Sequence, residues 1–337
     1  MTWLGLDIGG ANLKAADGRG WAQSVPFELW RNPQQLAESL AELIAAAPSA
    51  DQLAVTMTGE LCDCFRTKAE GVRHILSSVK QEAADRSIRV YAVDGRFTSF
   101  SEACELPYRV AASNWHALAQ FACRFVRGRT GLLIDVGSTT TDVVPLADGQ
   151  PCTRGTTDLE RLANGELLYS GVGRTPICAV TRSLPWRDID CPVAAELYAT
   201  TADAYVLLGE LQEQPESVCT ADGRPLTVEY SHERLARMLC ADHASFTLDD
   251  AQHAAAAVRD MQLARLRDAI TQLTLRMPSP PSCFVASGVG EFLARAAIAQ
   301  LEAPVPVFSL ANELGPVVSE CAPAHAVAVL ASELEVA

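Results

Sequence analysis

A short frame that occurs twice constrains this chain more than any other feature. "DIGGANLK" (Asp7–Lys14) and "DVGSTTTD" (Asp135–Asp142) share the pattern D-[IV]-G-[GS], and each follows an apolar run that reads as a strand. Each continues into more apolar residues and an Asp-Gly turn, at Asp17-Gly18 and at Asp148-Gly149. A strand that ends in aspartate and glycine and then doubles back needs a very tight turn. Glycine lets such a turn form and lets the backbone approach a ligand closely. Consecutive N–H groups in such turns make a nest for anions. The contacts expected are Gly9, Gly10, Asn12 and Lys14 from the first copy, and Gly137, Ser138, Thr139, Thr140 and Thr141 from the second. Carboxylates beside an anion nest make sense only with a cation between them. Asp7, Asp135 and Asp142 are therefore the expected metal ligands, with Mg²⁺ holding a polyphosphate. One copy alone would be an unremarked hairpin; two copies point to a two-sided clamp. Neither a Walker loop nor a G-x-G-x-x-G pattern occurs.

The remaining pattern is mixed α/β. Trp3–Ile8 reads as a strand and "PFELW" as further sheet. A helix follows from Pro33, capped by Asn32, with Leu36, Leu40, Leu43 and Ile44 on one face. Strands are expected at Gly131–Ser138, Thr141–Gly149 and Val305–Leu310, a strand then a loop at Leu53–Leu61, and a strand ending in a turn at Ile88–Gly95 and at Cys283–Gly290. Helices are expected at Asn114–Gly128, Ala251–Met277 and Pro323–Glu335, with helical patterns dominating from Pro192 to Met277.

Bulk properties narrow the function classes. The formal net charge of −14 argues against nucleic acid and against an anionic membrane surface as partners. No apolar run reaches the ~20 residues of a membrane span. No basic-then-apolar leader is read at the start, so a cytoplasmic location is expected. The 11 cysteines show no disulfide spacing, and Cys62 and Cys64 read as ordinary reduced thiols rather than a zinc site.

These residues resemble the superfamily of actin, sugar kinases and heat-shock ATPases, in which two similar domains each present a phosphate hairpin to a central cleft. Longer phrases are similar to its hydantoinase/oxoprolinase branch, and within it to short members linked to tetrahydromethanopterin and methanofuran biosynthesis. They include "VTMTGELCDCF", "ASNWHALA", "GTTDLERLANGELLYSGVGRTPICAV" and "TTADAYVLLGEL". The resemblance implies two actin/ribonuclease-H-like domains around a cleft. Residues 1–125 would form the first, completed by the C-terminal helix. Residues 126–337 would form the second, with a helical insertion at about 192–277 and a Gly-turn at 286–290. In "ASGVGEFLA", Gly288 and Gly290 match the turn that receives a nucleoside in relatives.

The activity implied is a transferase of C1-carrier cofactor biosynthesis. The phenol of γ-glutamyltyramine would displace diphosphate from an aminomethylfuran-methyl diphosphate and form an ether. The partners are then these small molecules, with a homodimer left open. An ATP-dependent kinase or a hydantoinase/oxoprolinase-type hydrolase is the alternative; ATP stays an option, and a diphosphate leaving group is favoured. Catalytic candidates are Glu60, Asn114, Arg174 and Asp203. Glu60 reads as a general base, a water-mediated metal partner or a plain loop acid. Asn114 reads as a cleft residue or a helix cap, beside a His116 of open role. Arg174 reads as a ligand for diphosphate or for the glutamyl carboxylate. Asp203 reads as a substrate or metal acid, or as a helix N-terminal carboxylate. Asp158 and Arg161 are expected to pair and shape the loop that carries Arg174.

Overall fold

The computed structural model describes residues 1–301 and 305–334. Glu335, the expected last residue of the final helix, lies outside the described residues. Six strands form the first sheet: β1 Trp3–Ile8, β2 Asn12–Ala16, β3 Ala22–Pro26, β4 Gln52–Met57, β5 Ser87–Tyr91 and β6 Phe97–Ser99, in the order β3-β2-β1-β4-β5-β6. With it run α1 Leu36–Ala46, α2 Lys68–Glu82, α3 Phe100–Glu105 and α4 Asn114–Val126. A second sheet follows, from β7 Gly131–Val136, β8 Thr141–Ala147, β9 Gln150–Pro151 and β10 Leu167–Leu168. The chain then passes through α5 Asp158–Asn164, α6 Ile177–Val180 and a small hairpin of β11 Ser183–Trp186 and β12 Ile189–Pro192. Next come α7 Thr201–Leu207, α8 Val228–Met238 and α9 Leu248–Arg276. Two further strands, β13 Phe284–Ser287 and β14 Val307–Ser309, complete the second sheet in the order β10-β8-β7-β13-β14, with β9 on β8. The last helices are α10 Glu291–Ala299, α11 Leu310–Leu314, α12 Pro316–Glu320 and α13 Ala322–Glu333.

The internal repeat extends beyond the frame that revealed it. In the first sheet, β1 pairs antiparallel with β2 and parallel with β4, and β4 pairs parallel with β5. In the second, β7 pairs antiparallel with β8 and parallel with β13, and β13 pairs parallel with β14. The string β2-β1-β4-β5 therefore has its counterpart in β8-β7-β13-β14, although β13 and β14 lie far down the chain.

Layering follows from side-chain alternation. Leu4, Leu6 and Ile8 of β1 turn to one face and pack with Leu36, Leu40 and Leu43 of α1 and with Ile75, Leu76 and Val79 of α2. Trp3 turns the other way, as do Ala54 of β4 and Tyr91 of β5. They share a core with Leu118 and Phe121 of α4, with Ala326 and Val327 of α13, and with Leu133, Val144 and Val285 of the second sheet. Thus α4 and α13 lie between the two sheets. Leu132, Ile134 and Val136 take the far face of β7 and pack with Leu266 and Ile270 of α9 and Leu293 of α10. A fourth core, around Phe246, Leu235 and Ala254, holds the helical insertion together. Among the described residues no helix is long and apolar enough to cross a membrane.

Three local expectations change. "PFELW" is not a strand: β3 ends at Pro26, and residues 29–31 form a turn. Proline has no N–H for a ladder, and Phe27 and Leu29 instead donate their N–H groups to Ala11 O and Gly10 O. Asn32 makes no side-chain cap, because a short 3₁₀ turn at Pro33–Gln35 precedes α1. The β11–β12 hairpin went unread in a segment without strand alternation.

Gly5 sets the spacing of the inner layer. A Cβ there would stand 2.0 Å from Ala324 O of α13. Gly5→Ala must therefore push α13 off β1, at a cost of ~1–3 kcal/mol. A urea unfolding midpoint equal to wild type would show that this close approach is not made in solution.

Candidate functional site

Both turns are closed in the same way. The Gly9 N–H donates to Asn12 O at 3.0 Å, and the Gly137 N–H donates to Thr140 O at 2.8 Å. Gly9 and Gly137 thus spend their own N–H groups on the turn and are not the anion donors expected of them. The N–H groups of Gly10 and Ala11, and of Ser138, Thr139 and Thr140, have no acceptor among the described residues. Two sets of free donors at equivalent places are what a two-sided anion clamp requires. Thr141 drops out of the set, because it is buried and its hydroxyl donates to Ser170 O at 2.7 Å.

A separate loop braces each turn. On the first, Leu29 N donates to Gly10 O at 3.0 Å. Gly59 fits closely there, since a Cβ would meet Leu29 Cδ2 at 2.7 Å and Gly9 O at 3.0 Å. On the second, Gly173 N and Arg174 N both donate to Ser138 O, at 2.9 and 2.8 Å. A Cβ on Gly171 would meet Gly137 O at 2.5 Å. The two bracing loops meet across the cleft, where the Arg174 guanidinium lies 4.3 Å from the centre of the Trp30 ring.

The acidic groups separate into two kinds. Asp7 and Asp135 end the two central strands on the faces turned toward α4 and α13. Burial pushes each carboxyl up to about 6, and Lys14 partly offsets this in both. Asp7 Oδ1 is buried without a hydrogen-bond partner among the described residues. Lys14 stands directly opposite Asp7 in the β1–β2 register. The equivalent place in the second hairpin holds Asp142, opposite Asp135. Like charges directly opposite repel, and the chain answers with Arg161, whose Nη1 lies 2.8 Å from Asp142 Oδ1. Arg161 is 1% exposed, stacks 3.8 Å over the Trp115 ring and donates to Glu166 O. Asp142 is thus the anchor of a buried arginine and not an open metal ligand, which corrects its assignment. The expected Asp158–Arg161 pair also fails, since Asp158 bonds Lys68 across the cleft at 2.9 Å.

Asp7 and Asp135 fit a magnesium ion in charge and burial. Among the described residues no group of three or more His, Cys, Asp or Glu side chains could hold a metal alone. Mg²⁺ is commonly held by one or two carboxylates together with substrate phosphate oxygens.

Glu60 stands in a short 3₁₀ turn just after β4 and is 1% exposed. Neither carboxyl oxygen has a hydrogen-bond partner among the described residues. Burial pushes the group up to about 7, with Lys68 opposing from 4.0 Å. It is not the exposed loop acid that the sequence left open. Asn114 is the first residue of α4, and its Oδ1 accepts from Trp115 N; Ser113 is the N-cap. The neighbouring Ser113 hydroxyl bonds Thr56 Oγ1 of β4 at 2.8 Å, which fixes the start of α4 against that strand. His116 bonds the Tyr91 hydroxyl at 3.0 Å, and burial lowers it to about 4. Asp203 is corrected outright. It closes the capping box of α7 and accepts from Ser231 Oγ and Arg234 Nε at 2.9 and 2.8 Å, so its oxygens are committed inside the insertion.

Gly288 and Gly290 are also reassigned in part. The Gly290 N–H donates to Val136 O, and a Cβ on Gly288 would meet Val136 O at 2.3 Å. Both let the turn after β13 pack on the end of β7. Gly288 also borders a cavity of about 430 Å³, together with Glu291, Phe292, Arg295 and Glu320. Trp30 and Lys68 were missed as cleft residues. Only the contacts across the cleft reveal them.

A family model described as hydantoinase/oxoprolinase matches residues 51–333. A curated relative from Methanocaldococcus jannaschii is 32% identical over 330 residues, covering 97% of this chain and 96% of the relative. It is named (4-{4-[2-(gamma-L-glutamylamino)ethyl]phenoxymethyl}furan-2-yl)methanamine synthase. A relative of the same name from Methanococcus vannielii is 29% identical, covering 59% of this chain and 89% of the relative. Among solved structures, nucleotide-free acetone carboxylase superposes with a TM-score of 0.58 at 12% identity, over 97% of this chain and 70% of that one. That likeness is one of fold.

Two outcomes follow from the charges. Asp7, Asp135 and Glu60 hold their protons to higher pH when folded than when unfolded. Each of the three therefore releases a proton on unfolding, and its contribution to the stability of metal-free protein falls as pH rises from about 4 to about 7, while His116 and His325, lowered by burial to about 4, contribute in the opposite direction. Glu60→Gln should flatten the upper part of that loss, a term on the order of 2–3 kcal/mol. Melting temperatures of wild type and Glu60→Gln across this range check it; a difference between the two that does not change with pH contradicts the burial of Glu60. Asp142→Asn leaves a buried arginine without its counter-charge and should cost ~3 kcal/mol or more in a denaturant titration.

Proposed function

The chain belongs to the hydantoinase/oxoprolinase family, and from that premise we propose that it is an ether-forming transferase of C1-carrier cofactor biosynthesis. It joins the phenol oxygen of γ-glutamyltyramine to the methylene of an aminomethylfuran-methyl diphosphate and releases diphosphate. The observation that carries this reading is the buried carboxylate of Glu60, which accepts no hydrogen bond among the described residues and directly follows Gly59, the glycine packed on the first of two equivalent anion turns.

The diphosphate ester is gripped by the free N–H groups of Gly10 and Ala11 on one side and of Ser138, Thr139 and Thr140 on the other. These donors are fixed before the reaction, because each turn is closed and braced by its own backbone bonds. They therefore need no reorganisation as charge gathers on the leaving oxygen. Asp7 and Asp135 would hold Mg²⁺, which supplies positive charge against the phosphate oxygens. Glu60 accepts the phenol proton. A free phenol has a pKa of ~10, and a base with a carboxyl pushed up to about 7 is better matched to that proton than an ordinary glutamate. Burial also keeps the carboxylate away from bulk water. Eleven free cysteines suit a reducing compartment, and we place the enzyme in the cytoplasm.

The test is direct. The protein is given the furan diphosphate ester, γ-glutamyltyramine and Mg²⁺ without nucleotide. One diphosphate should appear per ether formed. Asp7→Asn and Asp135→Asn should each lower kcat by ~100-fold or more while leaving the circular dichroism spectrum unchanged. An ether that forms only with ATP, with ADP as a product, would replace this reading with an ATP-dependent one.

A further inference from the structure

Trp30 and Arg174 are where the two halves of the clamp touch, and their chemistry goes beyond holding phosphate. Trp30 follows directly on Leu29, whose N–H is bonded to Gly10 O. Arg174 is bonded through its own N–H to Ser138 O. Each residue therefore rides on one anion turn, and the indole face lies where the loops that brace the two turns meet. Trp30 is only half-buried and Arg174 is exposed, so neither is locked into a core. The guanidinium on the indole face shows what that face accepts: a flat cation with delocalised charge, 4.3 Å from the ring centre.

Resting on the transferase reading above, we propose that Trp30 is the surface on which the furan ring of the diphosphate ester stacks as it reacts. Arg174, which covers that surface in this structure, leaves it for the departing diphosphate. The bond between the furan methylene and the diphosphate oxygen breaks, and its electron pair goes to diphosphate. Positive charge spreads over the methylene and the furan ring. The phenol oxygen then forms the new carbon–oxygen bond, and its proton goes to Glu60.

An aromatic face suits this cation better than a carboxylate does. A carboxylate in contact with the methylene would capture it as an ester, whereas indole stabilises the charge without offering a nucleophilic oxygen. Glu60, Asp7 and Asp135 must then be kept off the methylene, and a stacking residue that fixes the furan does this as well. The exchange also balances charge. Arg174 vacates the indole when the furan of the ester takes its place there, and it meets the diphosphate, whose negative charge grows as the ring becomes a flat cation.

The test uses wild type, Trp30→Leu, Trp30→Phe and Arg174→Gln, each checked for an unchanged melting temperature. Trp30→Leu should lower kcat for ether formation ~10- to 30-fold, the worth of a desolvated cation–π contact. Its affinity for diphosphate with Mg²⁺ should change little, and Trp30→Phe should restore most of kcat. Diphosphate with Mg²⁺ should change the indole fluorescence of wild type, and both Trp30→Phe and Arg174→Gln should lack that change. A Trp30→Leu protein with wild-type kcat, or a Trp30→Phe protein no better than Trp30→Leu, overturns the stacking role. Absence of the fluorescence change overturns the movement of Arg174. Wild type that gives the fluorescence change but no ether overturns the transferase reading, and with it the furan as the stacked group.

Discussion

The burial of negative charge at the ends of β1 and β7 is the constraint around which the rest is arranged. Asp7 and Asp135 end the two central strands on facing sides of the molecule, near enough that the charge on Asp7 raises the carboxyl of Asp135. Leaving both ionised in a dry cleft would be costly. The fold supplies one permanent counter-charge, Lys14. What remains is an appetite for a cation, and beside it stand two turns with an appetite for an anion. Only a ligand that brings both satisfies the cleft. The fixed elements around it, from the Gly5–α13 contact to the loops behind each turn, hold those two appetites at a set spacing.

The two hairpins are duplicates in backbone and have diverged in charge. Position for position, Lys14 corresponds to Asp142. The first hairpin solves its charge problem across one strand pair. The second has two facing aspartates and recruits Arg161 from α5, which in turn rests on Trp115 of α4. This ties α5, β8 and α4 together through one guanidinium. Lys68 then joins α2 to Asp158 at the start of the same α5. A single short helix thus carries ion pairs to both halves of the molecule. A buried ion pair is weak evidence for net stability; what this network does is fix where α5 stands relative to the cleft.

Much of this was legible from the sequence, for identifiable reasons. The frame D-[IV]-G-[GS] located both turns because their geometry depends on backbone and glycine, which are local. Glu60 could be singled out because it follows a strand directly. Asp142 and Asp203 were misjudged because their partners, Arg161 and Arg234, are set by tertiary packing, and a carboxylate's spacing in sequence does not say whether an arginine already holds it. The glycines were right in place and wrong in part of their use. Gly9 and Gly137 close the turns, and the donors are the residues that follow. Trp30 could not be read at all, since its segment looked like strand and its partner lies far along the chain in the other half.

A cleft with a kinase-like plan serves an alkyl transfer for a physical reason. Phosphoryl transfer needs charge stabilised on the phosphates and a nucleophile placed in line. Displacement of diphosphate from carbon needs the same grip, with the electrophile moved from phosphorus to the adjacent methylene. The turns need not change, because backbone donors respond to charge and not to which bond breaks. What must change is the environment of the new electrophile. The carboxylates must not reach it, its positive charge must be met, and the incoming phenol must lose a proton. Glu60, buried directly after the glycine that packs on the first turn and with no hydrogen bond to its oxygens among the described residues, answers the last requirement. The Trp30 face, already able to seat a planar cation between the two bracing loops, answers the second. The new chemistry therefore requires changes only in side chains mounted on loops, while the duplicated backbone that holds the diphosphate stays as it is.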